Sequence, residues 1–332
     1  MKAIIPVAGA GTKLRPHTYT QPKALIPLAG KTILSIIVDQ LLEGGITEFV
    51  FIIGYLGEKI QDYVEEKYPQ LTAHFVYQNE RQGIGHAILL TKDIVGEDEM
   101  FIVLGDTICE YEIREILNNP DSVLGVKRVD DPRNFGVAEI DEQGSITRVV
   151  EKPQIPKSNM ALVGIYFIKQ ASFLFSCVEN NIRNQLTSYG EYNLTDAIEC
   201  MIKTGARFQS FKVQNWFDCG KKETLLDSNS KLLKKFGSAI SPDHQFENTI
   251  IIQPVSIAPG CDIKNSIIGP NVAIGEKTIV NYSIVKNSII GSFANLYDIV
   301  LTQSLIGSDT EVKGESRSLN IGDNTEIDLG ES

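Results

Sequence analysis

Three copies of one pentapeptide lie near the end of the chain: Asn265-Ser-Ile-Ile-Gly269, Asn287-Ser-Ile-Ile-Gly291 and Gln303-Ser-Leu-Ile-Gly307. Around them Ile or Val recurs about every five or six residues, at Ile257, Ile263, Ile268, Ile274 and Val280. Such spacing suits a parallel β-helix, in which one apolar residue per short strand points inward and small or polar residues turn each corner. The hexapeptide register slips after Ile263 and around Phe293–Leu301, so only a few coils are expected. A β-sandwich tail is the plainer alternative, but it gives no reason for the triplicate motif.

The part before this tail reads differently. Short apolar runs at Lys2–Val7, Glu48–Ile53, His74–Gln78 and Met100–Leu104 predict strands. Helical spacing predicts helices over Ile33–Leu41 (stopped by Gly44-Gly45), Glu58–Lys67 and Ile84–Ile94, and Ser230–Ser241 reads as the end of a linking helix. This alternation predicts an α/β, Rossmann-like, mostly parallel sheet followed by a short left-handed parallel β-helix. At roughly 150 residues per domain, 332 residues make about two: 1–240 and 246–332. Ligands of such sheets sit beyond the carboxyl ends of the strands, where the loops after Val7 and Leu104 both fall.

Composition removes several function classes. A net charge of −11 argues against a nucleic-acid or anionic-membrane surface. No run approaches the roughly 20 apolar residues of a membrane helix, and the apolar start Ala3–Ala8 is too short for a signal peptide. The five cysteines are scattered, with no C-x-x-C pair, which predicts free thiols and a cytoplasmic location.

The chemistry-bearing segment is Gly9-Ala-Gly-Thr-Lys-Leu-Arg-Pro16, followed by Gln21-Pro-Lys-Ala-Leu-Ile-Pro27. Glycines let backbone N–H groups approach an oxyanion, and Lys13, Arg15 and Lys23 supply cations for a triphosphate. Leu14 breaks the dinucleotide fingerprint, and the chain has no Walker A loop.

In these residues the chain resembles the sugar-1-phosphate nucleotidylyltransferases, which open on G-x-G-T-R-L-x-P and P-K-x-L-x-P. The resemblance continues through Gln78 and Gly83, Leu104-Gly105-Asp106, Asn134-Phe-Gly-Val-Ala-Glu139, Glu151-Lys152-Pro153, Val163-Gly-Ile-Tyr166 and Trp216-Phe-Asp-Cys-Gly220. It covers essentially the whole chain and is nearest to the longer glucose-1-phosphate thymidylyltransferases. It implies transfer of a nucleotidyl group from an NTP, dTTP first, to glucose-1-phosphate, with release of pyrophosphate. The catalytic set implied is Lys13, Lys23, Asp106, Lys152 and Asp218, the two aspartates holding Mg²⁺. Ala8, Gly9, Gly11, Thr12, Lys13, Arg15, Gln78 and Gly83 would bind the nucleotide. Gly136, Glu151, Lys152, Gly164 and Tyr166 would bind the sugar phosphate.

Three positions depart from the pattern: Lys13 and Tyr189 stand where the family has arginine, and Asn193 where it has glutamate. A UTP- or GTP-dependent enzyme acting on glucose- or mannose-1-phosphate, or a weakly catalytic regulatory homologue, therefore stays open. A coil acyltransferase would need a histidine base in the repeats, and the histidines (His17, His74, His86, His244) all precede them. The exposed ends of a β-helix predict a homo-oligomer.

Overall fold

A computed structural model of the chain describes residues 1–241, 244 and 246–314. It divides into two compact units, the first Met1–Leu232 and the second beginning at Leu233.

The strands of the first unit are β1 (Lys2–Pro6), β2 (Glu48–Ile53), β3 (Thr72–Tyr77), β4 (Met100–Val103), β5 (Thr107–Cys109), β6 (Ser122–Arg128), β7 (Gly136–Ile140), β8 (Ile146–Glu151), β9 (Met160–Ile168), β10 (Phe208–Lys212) and β11 (Trp216–Asp218). One sheet runs in the order β8-β7-β9-β4-β1-β2-β3, with β6 and β10 branching from β9. The half built from β4, β1, β2 and β3 is parallel. Its inner members β4, β1 and β2 read as apolar runs, as strands covered on both faces must, and in β2 Phe49 to Ile53 are all buried; the edge strand β3 has no buried residue. The other half departs from the mostly parallel expectation, because β9 runs antiparallel to β4, β6 and β7, and β7 antiparallel to β8. In β8 the buried Ile146 and Val149 flank the exposed Thr147 and Arg148, where the register with β7 shifts between Ile146 and Arg148.

Helix α1 (Ile33–Glu43) begins where Thr32 and Ser35 cap each other, the Ser35 N–H donating to Thr32 Oγ1 at 3.0 Å. Helix α2 is Gly57–Lys67. The segment expected as one helix over Ile84–Ile94 is two pieces, α3 (Ile84–Leu89) and a single turn at Lys92–Val95. Helices α4 (Ala171–Arg183) and α5 (Leu194–Lys203) pack together, and α5 lies against β8. No helix among the described residues is long and apolar enough to cross a membrane.

Helix α6 (Lys222–Phe236) ends earlier than expected; Ala239–Ile240 is already a strand and pairs with Val255–Ile257. From there the second unit is a parallel β-helix with three faces. On one face the column Ile250, Ile267, Ile284, Val300 is in register. Its steps are 267 − 250 = 17, 284 − 267 = 17 and 300 − 284 = 16 residues, against about 18 for three full hexapeptides. The slips in the repeat are these shortened turns. Ile257, Ile263, Ile268, Ile274 and Val280 are all buried and form the interior. Corners use left-handed residues, among them Asn248, Asn265, Asn271, Asn287 and Gln303. The motif serine explains itself at the corner. Ser266 Oγ donates to Lys264 O (2.7 Å) and accepts from the N–H of Ser283 one coil on (3.1 Å); Ser288 does the same with Lys286 O and Ser304 N. The first copy of the motif lies on a different face from the other two.

Candidate active site

The carboxyl ends of β1 and β4 are tied together, the Gly105 N–H donating to Pro6 O at 3.2 Å. A Cβ on Gly105 would stand 2.3 Å from Val7 Cγ1 and 2.8 Å from Pro6 O, so this approach admits only glycine. The loops after Val7 and Leu104 therefore meet. The first loop turns at Gly11 (φ +60), whose carbonyl accepts from Thr18 Oγ1 at 2.9 Å, and it folds back onto Lys23. Lys23 Nζ reaches Asp106 Oδ2 at 2.6 Å.

Asp218 arrives from a distant part of the chain. Strand β11 pairs antiparallel with β5, with Asp218 opposite Thr107 and thus beside Asp106. Asp218 Oδ1 accepts from the Gly220 N–H at 2.8 Å. The buried Cys219 thiol feels the whole group: burial pushes its pKa up to about 12, Lys23 opposes the rise, and Asp106 and Asp218 add to it. Lys23, Asp106 and Asp218, from three separated motifs, thus all act on the Cys219 thiol, with Lys23 paired to Asp106.

A cavity of about 320 Å³ opens on this end of the sheet. Its wall includes Ala8, Gly9, Lys23, Gln78, Gly83 and Asp106. Gln78 Nε2 donates to Gly83 O at 3.2 Å, which fixes the amide plane; Gly83 has φ +106 and lies against the Tyr192 backbone. Gly11, Thr12, Lys13 and Arg15 are not on that wall. Lys13 is exposed on a short turn, and the Arg15 guanidinium lies 4.9 Å from the Tyr19 ring centre. Sequence reading missed the two other charged wall residues, Arg81 and Glu191. Glu191 sits in the same segment as Tyr189 and Asn193, and that segment was the available signal.

The expected sugar-phosphate residues gather as a second cluster. Glu151 ends β8 opposite Gly136 on β7. Its Oε2 accepts from Thr195 Oγ1 at 2.7 Å and its Oε1 lies 3.6 Å from Lys152 Nζ. A side chain at Gly136 would press on Thr195 Oγ1 (3.0 Å) and Glu151 Oε2 (3.3 Å). Tyr166 is buried, and burial together with the Glu151 charge raises its phenol above the ordinary range. Gly164 (φ +84) interrupts the pairing of β9 and accepts from the Leu104 N–H at 2.9 Å, so this cluster is anchored next to Gly105-Asp106. Thr195 and Asp196, at the start of α5, were not singled out from sequence. Burial, then the Glu151 and Glu199 charges, raise Asp196 above the usual carboxylate range; its Oδ2 is buried without a partner.

The described residues hold no cluster of three or more His, Cys, Asp or Glu able to cage a metal. Asp106 and Asp218 nonetheless offer hard oxygen donors beside the glycine-rich loop. One or two carboxylates completed by substrate phosphates are the donor set that a small divalent cation takes, so the residues fit such an ion.

A mixed α/β sheet with a glycine loop, a lysine and two neighbouring aspartates at the carboxyl ends of its parallel strands fits a nucleotide-handling enzyme. Residues 2–235 match the nucleotidyl transferase family model, and the chain belongs to that family. It is 31% identical to the low-salt glycan biosynthesis nucleotidyltransferase Agl11 of Haloferax volcanii, over 99% of this chain and 100% of that protein. It is 29% identical to a glucose-1-phosphate thymidylyltransferase of Streptomyces griseus, over 94% and 93%. Its fold is shared with a solved UDP-glucose pyrophosphorylase bound to UDP-glucose (TM-score 0.61, 24% identity, 70% of this chain and 98% of that one).

Proposed function

We propose that the protein transfers a nucleotidyl group from dTTP to glucose-1-phosphate, giving a nucleotide sugar and pyrophosphate. The observation that carries this reading is the convergence of Lys23, Asp106 and Asp218 beside the glycine loop, with the Glu151–Lys152–Thr195 cluster anchored alongside. A phosphate oxygen of the sugar phosphate attacks the α-phosphorus. That new P–O bond forms as the bond to the β-phosphate oxygen breaks, and pyrophosphate leaves with the electron pair. Two anions must meet, so the enzyme's task is charge neutralisation and alignment rather than covalent catalysis.

In this scheme the backbone from Ala8 to Thr12, with Lys13, Arg15 and Lys23, receives the triphosphate. Lys152 receives the sugar phosphate, Glu151 accepts from sugar hydroxyls, and Gly136, Gly164 and Tyr166 shape the space for the ring. The Gln78 amide and the Gly83 backbone read the donor and acceptor edge of a pyrimidine. Asp106 and Asp218 would hold Mg²⁺, which supplies positive charge to the phosphate oxygens. Residues 1–240 would carry this chemistry in the cytoplasm, and residues 246–332 would support a homo-oligomer.

An amide does not distinguish thymine from uracil, so UTP is the specific rival. A panel of four nucleoside triphosphates against glucose-1- and mannose-1-phosphate, read by pyrophosphate release, decides. The highest kcat/KM with dTTP and glucose-1-phosphate is expected. A preference for UTP would overturn the base assignment, and no turnover with any pair would overturn the activity.

A further inference from the structure

The loop Ser188–Asn193 belongs to neither cluster by sequence, yet it touches both. Its base is a narrow turn in which Ser188 and Glu191 exchange backbone hydrogen bonds at 3.1 and 3.2 Å. Asn193 Nδ2 donates to Ser188 O at 2.8 Å, and Ser188 Oγ donates to Asp196 Oδ1 at 3.1 Å. Two backbone bonds stitch the loop to the nucleotide wall: Tyr192 N to Gln82 O and Gly85 N to Tyr192 O, both 2.8 Å. So held, Glu191 lies on the nucleotide cavity, and Tyr189 is presented toward Lys152.

The Tyr189 hydroxyl donates to the Lys152 carbonyl at 2.6 Å. Lys152 Nζ lies 5.8 Å from the Tyr189 ring centre, within reach of its negative face. Both residues have left-handed backbones, φ +56 at Tyr189 and +40 at Lys152, conformations that side-chain-bearing residues rarely adopt and that persist only where neighbours hold them. The Tyr189 side chain is no part of the core, since the residue is 65% exposed. Its bonds are spent on one residue.

We propose that Tyr189 is a positioning residue that holds Lys152 for the sugar phosphate, an inference that rests on the transfer reaction proposed above. The chain lacks a second cation at this position, so the single ammonium must be well placed. A lysine is a point charge on a flexible stem, and ordering that stem opposes anion binding. The phenol pins the Lys152 peptide, and the ring flanks the ammonium, which is 3.6 Å from the Glu151 carboxylate. Tyrosine thus restores by preorganisation part of what an added charge would supply.

The test is steady-state kinetics of Tyr189→Phe and Tyr189→Leu with each substrate varied in turn. Tyr189→Phe removes the hydrogen bond and keeps the ring; an about fivefold rise in the KM for glucose-1-phosphate is expected. Tyr189→Leu removes both, adding about threefold more. The KM for the nucleotide and the unfolding temperature should stay at their wild-type values, which separates positioning from a merely structural role. Sugar-phosphate KM values within twofold of wild type in both variants overturn the proposal, as does an equal rise in both KM values. An active wild type with unaffected variants sinks this inference alone. A wild type that releases no pyrophosphate with any sugar phosphate sinks the parent reading as well.

Discussion

Replacing Asp106 with Asn separates the chemistry of the site from its stability. The change keeps volume and one acceptor oxygen but removes a negative charge 2.6 Å from Lys23 Nζ and next to Asp218. Asp106 is about half exposed (49%), so solvent screening holds the folded-state value of its ion pair to about 0–1 kcal/mol. For a chain of this size that is a shift of at most about 4 °C in unfolding temperature. The effect on rate is of another order. In the proposed reaction the carboxylate would help to gather positive charge at the phosphates, and unit charges about 4 Å apart interact by about 4 kcal/mol at an effective dielectric near 20. Lost from the transition state, that is about a thousandfold in kcat. The assay is pyrophosphate release beside a thermal melt on the same preparation. A variant that keeps more than a tenth of wild-type turnover, or that unfolds before its activity can be read, would refute the reasoning.

Three further outcomes follow from the geometry. Gly136→Ala introduces a methyl 3.0 Å from Thr195 Oγ1 and 3.3 Å from Glu151 Oε2, and should raise the sugar-phosphate KM several-fold while sparing the nucleotide KM, as measured by initial rates. Ile268→Ala empties a fully buried position of the β-helix and should cost about 2–5 kcal/mol of stability there, seen by denaturant unfolding with little change in kcat. Asp196 has its folded-state pKa raised by burial, so folding favours its neutral form. Its contribution is therefore most favourable below the unfolded carboxyl pKa and is lost as pH climbs through the folded value. Asp196→Asn, which keeps the acceptor for Ser188, should raise the melting temperature at pH 7, and the gain should fade as pH is lowered toward the carboxylate range.

Local pattern carried much of the molecule. The parallel half of the sheet was readable because its inner strands are self-contained apolar runs, and the coils were readable because Ile257 through Val280 repeat a spacing. That the loops carrying Lys23 and Asp106 share one end of the sheet was legible because each follows an apolar strand and is marked by glycines. What escaped depends on pairing across long stretches of chain. Nothing in the run Met160–Ile168 says that it lies antiparallel to three neighbours. The pentapeptide copies look equivalent, yet a corner serine solves the same hydrogen-bonding problem on two different faces, so identity of sequence does not mean vertical stacking. Arg81, Glu191 and Thr195 enter the site by the fold of a loop and a helix end, and their residue types alone carry no such information.

Among the described residues the β-helix rises in steps of 16 or 17 residues, and each inner step is bounded by two others. A duplication or deletion of one whole storey leaves both its upper and lower neighbours facing the kind of surface they faced before. A change of a few residues rotates everything above it out of line. Such a tail can evolve in height by discrete increments, independently of the machinery that handles the phosphates.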